Sequence, residues 1–207
     1  DAKIIAYNPN RYSKKKLFFT KIKNMFSLNY WLWKSFGMTK IVYPKLDKLQ
    51  EQKAKKIYKE IYFSLKDKAD IEKIKIKNIW IGDLIYDSFL REKTQPTIEI
   101  NSYLFQNFLK ESIKLFIFWN DYIYFNNIVA VNASHTSYNL AIPLRIAIHN
   151  KIKAIQVNGQ GFYQLNALQL HAYQKQSLYP KIFNEFDKNK KTKCLEVAES
   201  RINQRFS

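Results

Sequence analysis

Residues 128–157 read as strand, helix, strand, and this run constrains the fold more than any other part of the chain. Residues 128–133 (IVAVNA) are an apolar strand, residues 138–149 are apolar at helical spacing, and residues 153–157 (KAIQV) form a second strand. Two strands with a helix between them match the length of a right-handed parallel crossover, so the expected class is α/β with parallel strands. The rest of the chain fits. KIIAY (3–7) and TKIVYP (39–44) read as strands, the second stopped by Pro44, and IEKIKIK (71–77) reads as an edge strand or extended connector. Helical patterns are expected over 14–36, 46–67, 82–91 and about 102–126, and over most of 165–207, with a lysine-rich loop at 188–193. Four glycines and five prolines in 207 residues favour long helices over many tight turns.

The crossover carries the least ordinary residues of the chain. Its first strand ends in Asn132-Ala133-Ser134-His135-Thr136-Ser137-Tyr138. In parallel α/β sheets, ligands bind beyond the carboxyl ends of the strands, where this polar knot falls. Ser134, Thr136 and Ser137 are also good helix N-caps, so a plain capping turn is an open alternative. On the functional reading His135 faces a cleft as a general base or ligand contact, since an imidazole exchanges a proton near neutrality. Tyr138 would then be a stacking or hydrogen-bonding neighbour. Arg145 lies two helical turns beyond Tyr138 and can share its face; it is either a planar fork for a carboxylate or phosphate, or half of a structural ion pair.

GDLIYDSFLR (82–91) is the second constellation. Gly82 permits an unusual backbone entry, Asp83 suits a helix N-terminus, and Asp83, Asp87 and Arg91 recur every four residues on one face. They read either as a cap with a surface Asp87–Arg91 pair or as a pocket wall whose carboxylates act as base or hydroxyl-binding groups. VNGQGFYQLN (157–166) reads as a flexible loop, not a dinucleotide fingerprint. No H-E-x-x-H, G-x-S-x-G, Walker or C-x-x-C pattern occurs, so zinc, hydrolase and NTPase chemistry have no motif behind them, and no metal ligands are expected. The single Cys194 excludes an internal disulfide.

The formal charge of +18 is unevenly placed. Residues 1–78 hold 20 basic and 7 acidic side chains, whereas residues 79–180 hold 8 and 6. The surplus therefore lies away from the polar knot, and 30 of the 35 basic residues are lysine. Solvated lysine faces, or attraction of the Lys-rich residues 14–78 to an anionic membrane surface, fit this map better than a nucleic-acid groove. No stretch approaches the roughly 20 apolar residues of a spanning helix, and no signal peptide is evident. The chain opens directly in a strand without an initiator Met, which reads as a piece of a longer protein.

Two stretches together, IWIGDLIYDSFLREKTQPTIEI (79–100) and VNASHTSYNLAIPLRIAIHNKIKAIQVN (131–158), resemble bacterial surface-polysaccharide (capsule or lipopolysaccharide) biosynthesis proteins of the two-domain, GT-B glycosyltransferase-like type. The resemblance covers residues 80–160, and ESRINQRFS (199–207) is similar to that family's closing helix before its second domain. It implies a Rossmann-like parallel sheet flanked by helices over residues 1–164, forming the acceptor-side half. Residues 165–207 would be a helical segment leading toward a C-terminal, nucleotide-sugar-binding domain. His135 or Asp83 would deprotonate the acceptor hydroxyl, and Asp87, Arg91, Ser134, Tyr138 and Arg145 would line the cleft. The implied substrates are a nucleotide-sugar donor and a saccharide or lipid-linked acceptor, with no bound cofactor or metal. The implied location is cytoplasmic, peripheral to the inner face of the plasma membrane. A carbohydrate- or nucleotide-binding domain without catalysis is the alternative, and a basic nucleic-acid module a more remote one.

Overall fold

The computed structural model describes residues 3–7, 19, 22–23, 26–158, 161–172 and 179–206. The chain divides into two compact units, Asp1–Leu170 and His171–Ser207.

The first unit is mixed α/β. Strand β1 (Ile4–Tyr7) pairs in parallel with β2 (Met38–Val42), and helix α1 (Leu28–Ser35) leads into β2 through Gly37, whose φ of 86° suits a residue without Cβ. Of the helix expected over 14–36, α1 is the part the structure shows; residues 14–18, 20–21 and 24–25, Leu17 and Phe18 among them, lie outside the described residues. Helix α2 (Lys48–Ser64) starts at a capping box: Gln50 N–H donates to Asp47 Oδ1 (2.8 Å) and Asp47 N–H donates to Gln50 Oε1 (3.1 Å). A second capping box, between Asp67 and Asp70, opens the short helix α3 (Lys68–Glu72). Residues 71–77, expected as one extended piece, instead finish α3 and enter a hairpin. Strands β3 (Lys75–Ile76) and β4 (Ile79–Trp80) are joined by Lys77 and Asn78 with φ of 52° and 63°, as a type I′ turn requires.

Helix α4 (Gly82–Lys93) follows at once. A Cβ on residue 82 would lie 2.2 Å from the carbonyl oxygen of Ile71, so only glycine lets α4 start against the end of α3. Helix α5 (Tyr103–Phe125), capped by Ser102 Oγ accepting from Phe105 N–H, is the central element and buries ten side chains. Phe89 of α4 meets Phe105 and Phe108 edge-on at 5.4 and 5.5 Å, geometry that aromatic quadrupoles favour. Tyr7 of β1 meets Trp119 of α5 in the same way at 4.8 Å, and burial pushes its phenol pKa up to about 12.

The crossover is as expected: β5 (Ala130–Ala133), a 3-10 turn (Asn139–Ala141), helix α6 (Ile142–His149) and β6 (Lys153–Asn158), with β5 and β6 parallel. Strand β7 (Gly161–Leu165), expected as loop, pairs antiparallel with β6. Among the described residues the strands form three separate sheets, β1–β2, β3–β4 and β5–β6–β7, with both parallel pairs in different sheets. The α/β class therefore stands, in small parallel and mixed sheets.

Because β7 and the Asn166–Gln169 turn stay with the first unit, that unit extends past the expected boundary at residue 164 to Leu170. The second unit contains α7 (Tyr179–Asn184) and α8 (Lys188–Phe206). Its lysine-rich stretch 188–193 is the first turn and a half of α8, not a loop, because Asp187 precedes it and accepts from the Lys190 N–H at 2.9 Å. No helix among the described residues is long and apolar enough to cross a membrane.

Candidate functional site

The polar knot lies where β5 ends. Neither the 3-10 turn nor α6 has a side-chain cap from the residue that precedes it, which is Tyr138 in the first case and Ala141 in the second. The Asn139 N–H is instead satisfied from another helix, donating to Ser88 Oγ of α4 at 2.6 Å. Asn139 Nδ2 donates to Ser112 Oγ of α5 at 3.0 Å, and that hydroxyl donates onward to the Phe108 carbonyl. Asn139 thus ties two helices, α4 and α5, to the start of α6.

The backbone of the knot is itself unusual. Tyr138 has φ 65° and ψ 175°, a region that almost only glycine enters and that costs a side-chain-bearing residue about 1–3 kcal/mol. The Arg91 guanidinium lies over its ring, 4.5 Å from the centroid. From below, Gln156 of β6 (1% exposed) donates from Nε2 to the Ser134 carbonyl at 3.0 Å, while its Oε1 is buried with no hydrogen-bond partner. Ser134 and His135 are exposed at the tip, and Thr136 is buried beneath them.

Helix α4 brings the two sequence constellations together in a different arrangement from a single shared face. Asp83 accepts from Arg145 Nη2 at 2.6 Å, and Asp87, exposed, lies between that contact and the Arg91–Tyr138 stack. Arg145 is a core residue: its side chain is 2% exposed, its guanidinium lies 5.0 Å from the Trp80 ring centroid, and Nη1 reaches the Trp80 carbonyl at 3.4 Å. Burial draws the guanidinium pKa below its ordinary value, and the Asp83 carboxylate pushes it partly back. The structural ion pair left open by the sequence is therefore present. Tyr138 and Arg145 do not act on one face, since each is committed to a partner at a different end of α4.

A cleft of about 340 Å³ lies at the opposite end of the crossover, where α5 and α6 finish, and Lys53, Lys77, Asp121 and His149 line it. Burial pushes the Asp121 carboxyl up, but hydrogen bonds from Gln50 (3.0 Å) and Asn120 (2.9 Å) and the charges of Lys53 and Lys77 outweigh it and hold the pKa below the usual range. Burial and the Lys53 charge draw the Lys77 pKa down. Helix C-termini present unpaired carbonyls and partial negative charge, which the two lysines offset, so the cleft accounts for its own charges structurally. Among the described residues no three His, Cys, Asp or Glu side chains gather as metal ligands.

Sequence reasoning missed Ser88, Ser112, Asn139 and Gln156. Only Gln156 left a signal, as the one uncharged polar residue inside the apolar strand KAIQV. Ser88 looks like any helix serine until Asn139 arrives from 51 positions away. No protein-family model, curated protein or solved structure matches this chain.

Proposed function

We propose that the chain is the acceptor-side part of a sugar transferase of bacterial surface-polysaccharide biosynthesis. It would move a sugar from a nucleotide-sugar to a saccharide or lipid-linked acceptor. The observation that carries the reading is Tyr138: a strained backbone just beyond the carboxyl end of a parallel strand, closely following the exposed Ser134 and His135 in sequence and stacked under Arg91. Strain of this kind concentrates at ligand-handling sites. In this reading the β5–α6–β6 unit belongs to the Rossmann-like half of a GT-B architecture.

The chemistry divides accordingly. The Arg91–Tyr138 platform offers an aromatic face and a fork of donors to an acceptor sugar, with Ser134 and Asp87 as hydroxyl partners. His135 takes the proton from the acceptor hydroxyl as that oxygen attacks the anomeric carbon. The anomeric C–O bond to the nucleoside diphosphate breaks, and the diphosphate leaves with the electron pair. Asp83 is committed to Arg145, which makes His135 the better base and gives Asp83 and Arg145 the task of fixing α4 against α6.

The test is transfer from nucleotide-sugar donors to saccharide acceptors by the complete protein. His135→Ala should lower turnover at least about tenfold, the low end for removal of an acid–base group. Unchanged turnover on the authentic acceptor would overturn the role of His135. The same platform also fits a carbohydrate-binding domain without catalysis, in which case acceptor binding persists, no donor is consumed, and His135→Ala changes nothing but affinity.

A further inference from the structure

Helix α1 is apolar, yet most of its large side chains stay at the surface. None of its eight residues is buried, and Phe26, Leu28, Trp31, Leu32, Trp33 and Phe36 are all exposed, Trp31 and Trp33 at 60% and 59%. Large apolar side chains in such number within residues 26–36 mark an interaction surface. The charge around them is one-sided. Between Ala2 and Leu46 the sequence holds ten Lys or Arg and no Asp or Glu, and Lys23, Lys34 and Lys40 are exposed beside the aromatic residues. Tryptophan and phenylalanine with lysine, and no acid, are the residues of helices that lie in a membrane interface. At 1.5 Å per residue α1 is about 12 Å long, far short of the roughly 30 Å hydrocarbon core, so it can lie in the interface but not span it. A second copy of the chain would bring two acid-free, like-charged segments face to face, whereas an anionic lipid surface supplies the missing charge.

We infer that α1 docks the chain onto an anionic lipid bilayer, with Trp31, Trp33 and Phe36 entering the headgroup region and the flanking lysines meeting lipid phosphates. The inference concerns a surface separate from the polar knot and holds whether or not the chain transfers sugar.

The test is co-sedimentation of the full chain with vesicles of phosphatidylcholine alone and of phosphatidylcholine mixed with phosphatidylglycerol. Binding should be at least about tenfold stronger to the anionic vesicles and should weaken with added salt. Tryptophan emission should shift to the blue on binding, since Trp31 and Trp33 start exposed while Trp119 is already buried. The double variant Trp31→Ser, Trp33→Ser should keep the melting profile, because neither side chain is buried, and should lose binding about tenfold or more. Equal binding to both vesicle types overturns the proposal, as does full binding by the variant. A fall in sedimentation coefficient of the variant without vesicles also overturns it, by showing that the helix covers a second copy. Transfer to a water-soluble acceptor in the absence of lipid tests the sugar-transferase reading independently of these outcomes.

Discussion

Helix α4 meets an arginine–aromatic contact at each of its ends, and the same chemistry serves opposite purposes there. At the N-terminal end the buried Arg145 lies over the half-buried Trp80 and is ion-paired with the half-buried Asp83. At the C-terminal end Arg91 lies over Tyr138 at the surface, beside a strained backbone and an exposed histidine. Burial makes the difference. A guanidinium removed from water must be paired, and once paired it holds two helices in register. An exposed one is free to exchange its partner for a ligand.

The largest effect should come from breaking the buried contact. Arg145→Ala strands the Asp83 carboxylate and should cost about 3–5 kcal/mol in urea unfolding, whereas Asp83→Asn with Arg145→Met should recover most of that loss. If the single variant loses less than about 1 kcal/mol, the buried contact is no more structural than the exposed one. Next in size is Tyr138→Gly, which releases about 1–3 kcal/mol of backbone strain and forfeits a ring contact worth about 0.5–1. Thermal melting should be unchanged or raised, while acceptor binding falls; a clear drop in stability would show that the knot's geometry is not strained. Smaller still, Arg91→Ala should change stability by less than about 1 kcal/mol and weaken saccharide binding, as isothermal titration would show.

The smallest effect concerns pH and belongs to the buried end, near Ile79, where Asp121 sits. Its folded pKa lies below the unfolded value, so its contribution to stability is complete above the ordinary carboxylate pKa of about 4. That contribution disappears as pH falls through the lower folded value. Unfolding of Asp121→Asn followed across this acid range should show a shallower loss than the parent; an identical slope would remove Asp121 from the account.

The sequence makes one half of this comparison legible. Periodicity places α2, α5 and the β5–α6–β6 crossover, and the four-residue spacing of Asp83, Asp87 and Arg91 puts them on one helix face. Gly82 announces a tight entry, although what it touches does not show. Long-range pairing is the part that stays hidden. Arg145 reaches Asp83 across 62 positions and Asn139 reaches Ser88 across 51, distances at which no local pattern carries information. Strand β7 is obscured by the glycines before it and by an outer face that leaves Phe162 exposed, so GFYQL lacks the apolar alternation of a half-buried strand. The partition into three sheets is likewise a matter of which strand edges meet, and apolar runs of similar composition do not encode that choice.

Gly82 has a consequence at the level of the gene. Every other amino acid has a Cβ, and here that atom would meet the Ile71 and Glu72 carbonyl oxygens at 2.2 and 2.4 Å. Any missense change in this codon therefore forces α3 and α4 apart, whatever the new side chain's polarity or size. In a saturating mutational scan read out by the amount of folded protein, position 82 should tolerate synonymous changes alone, while Arg91, at the other end of α4, should accept many.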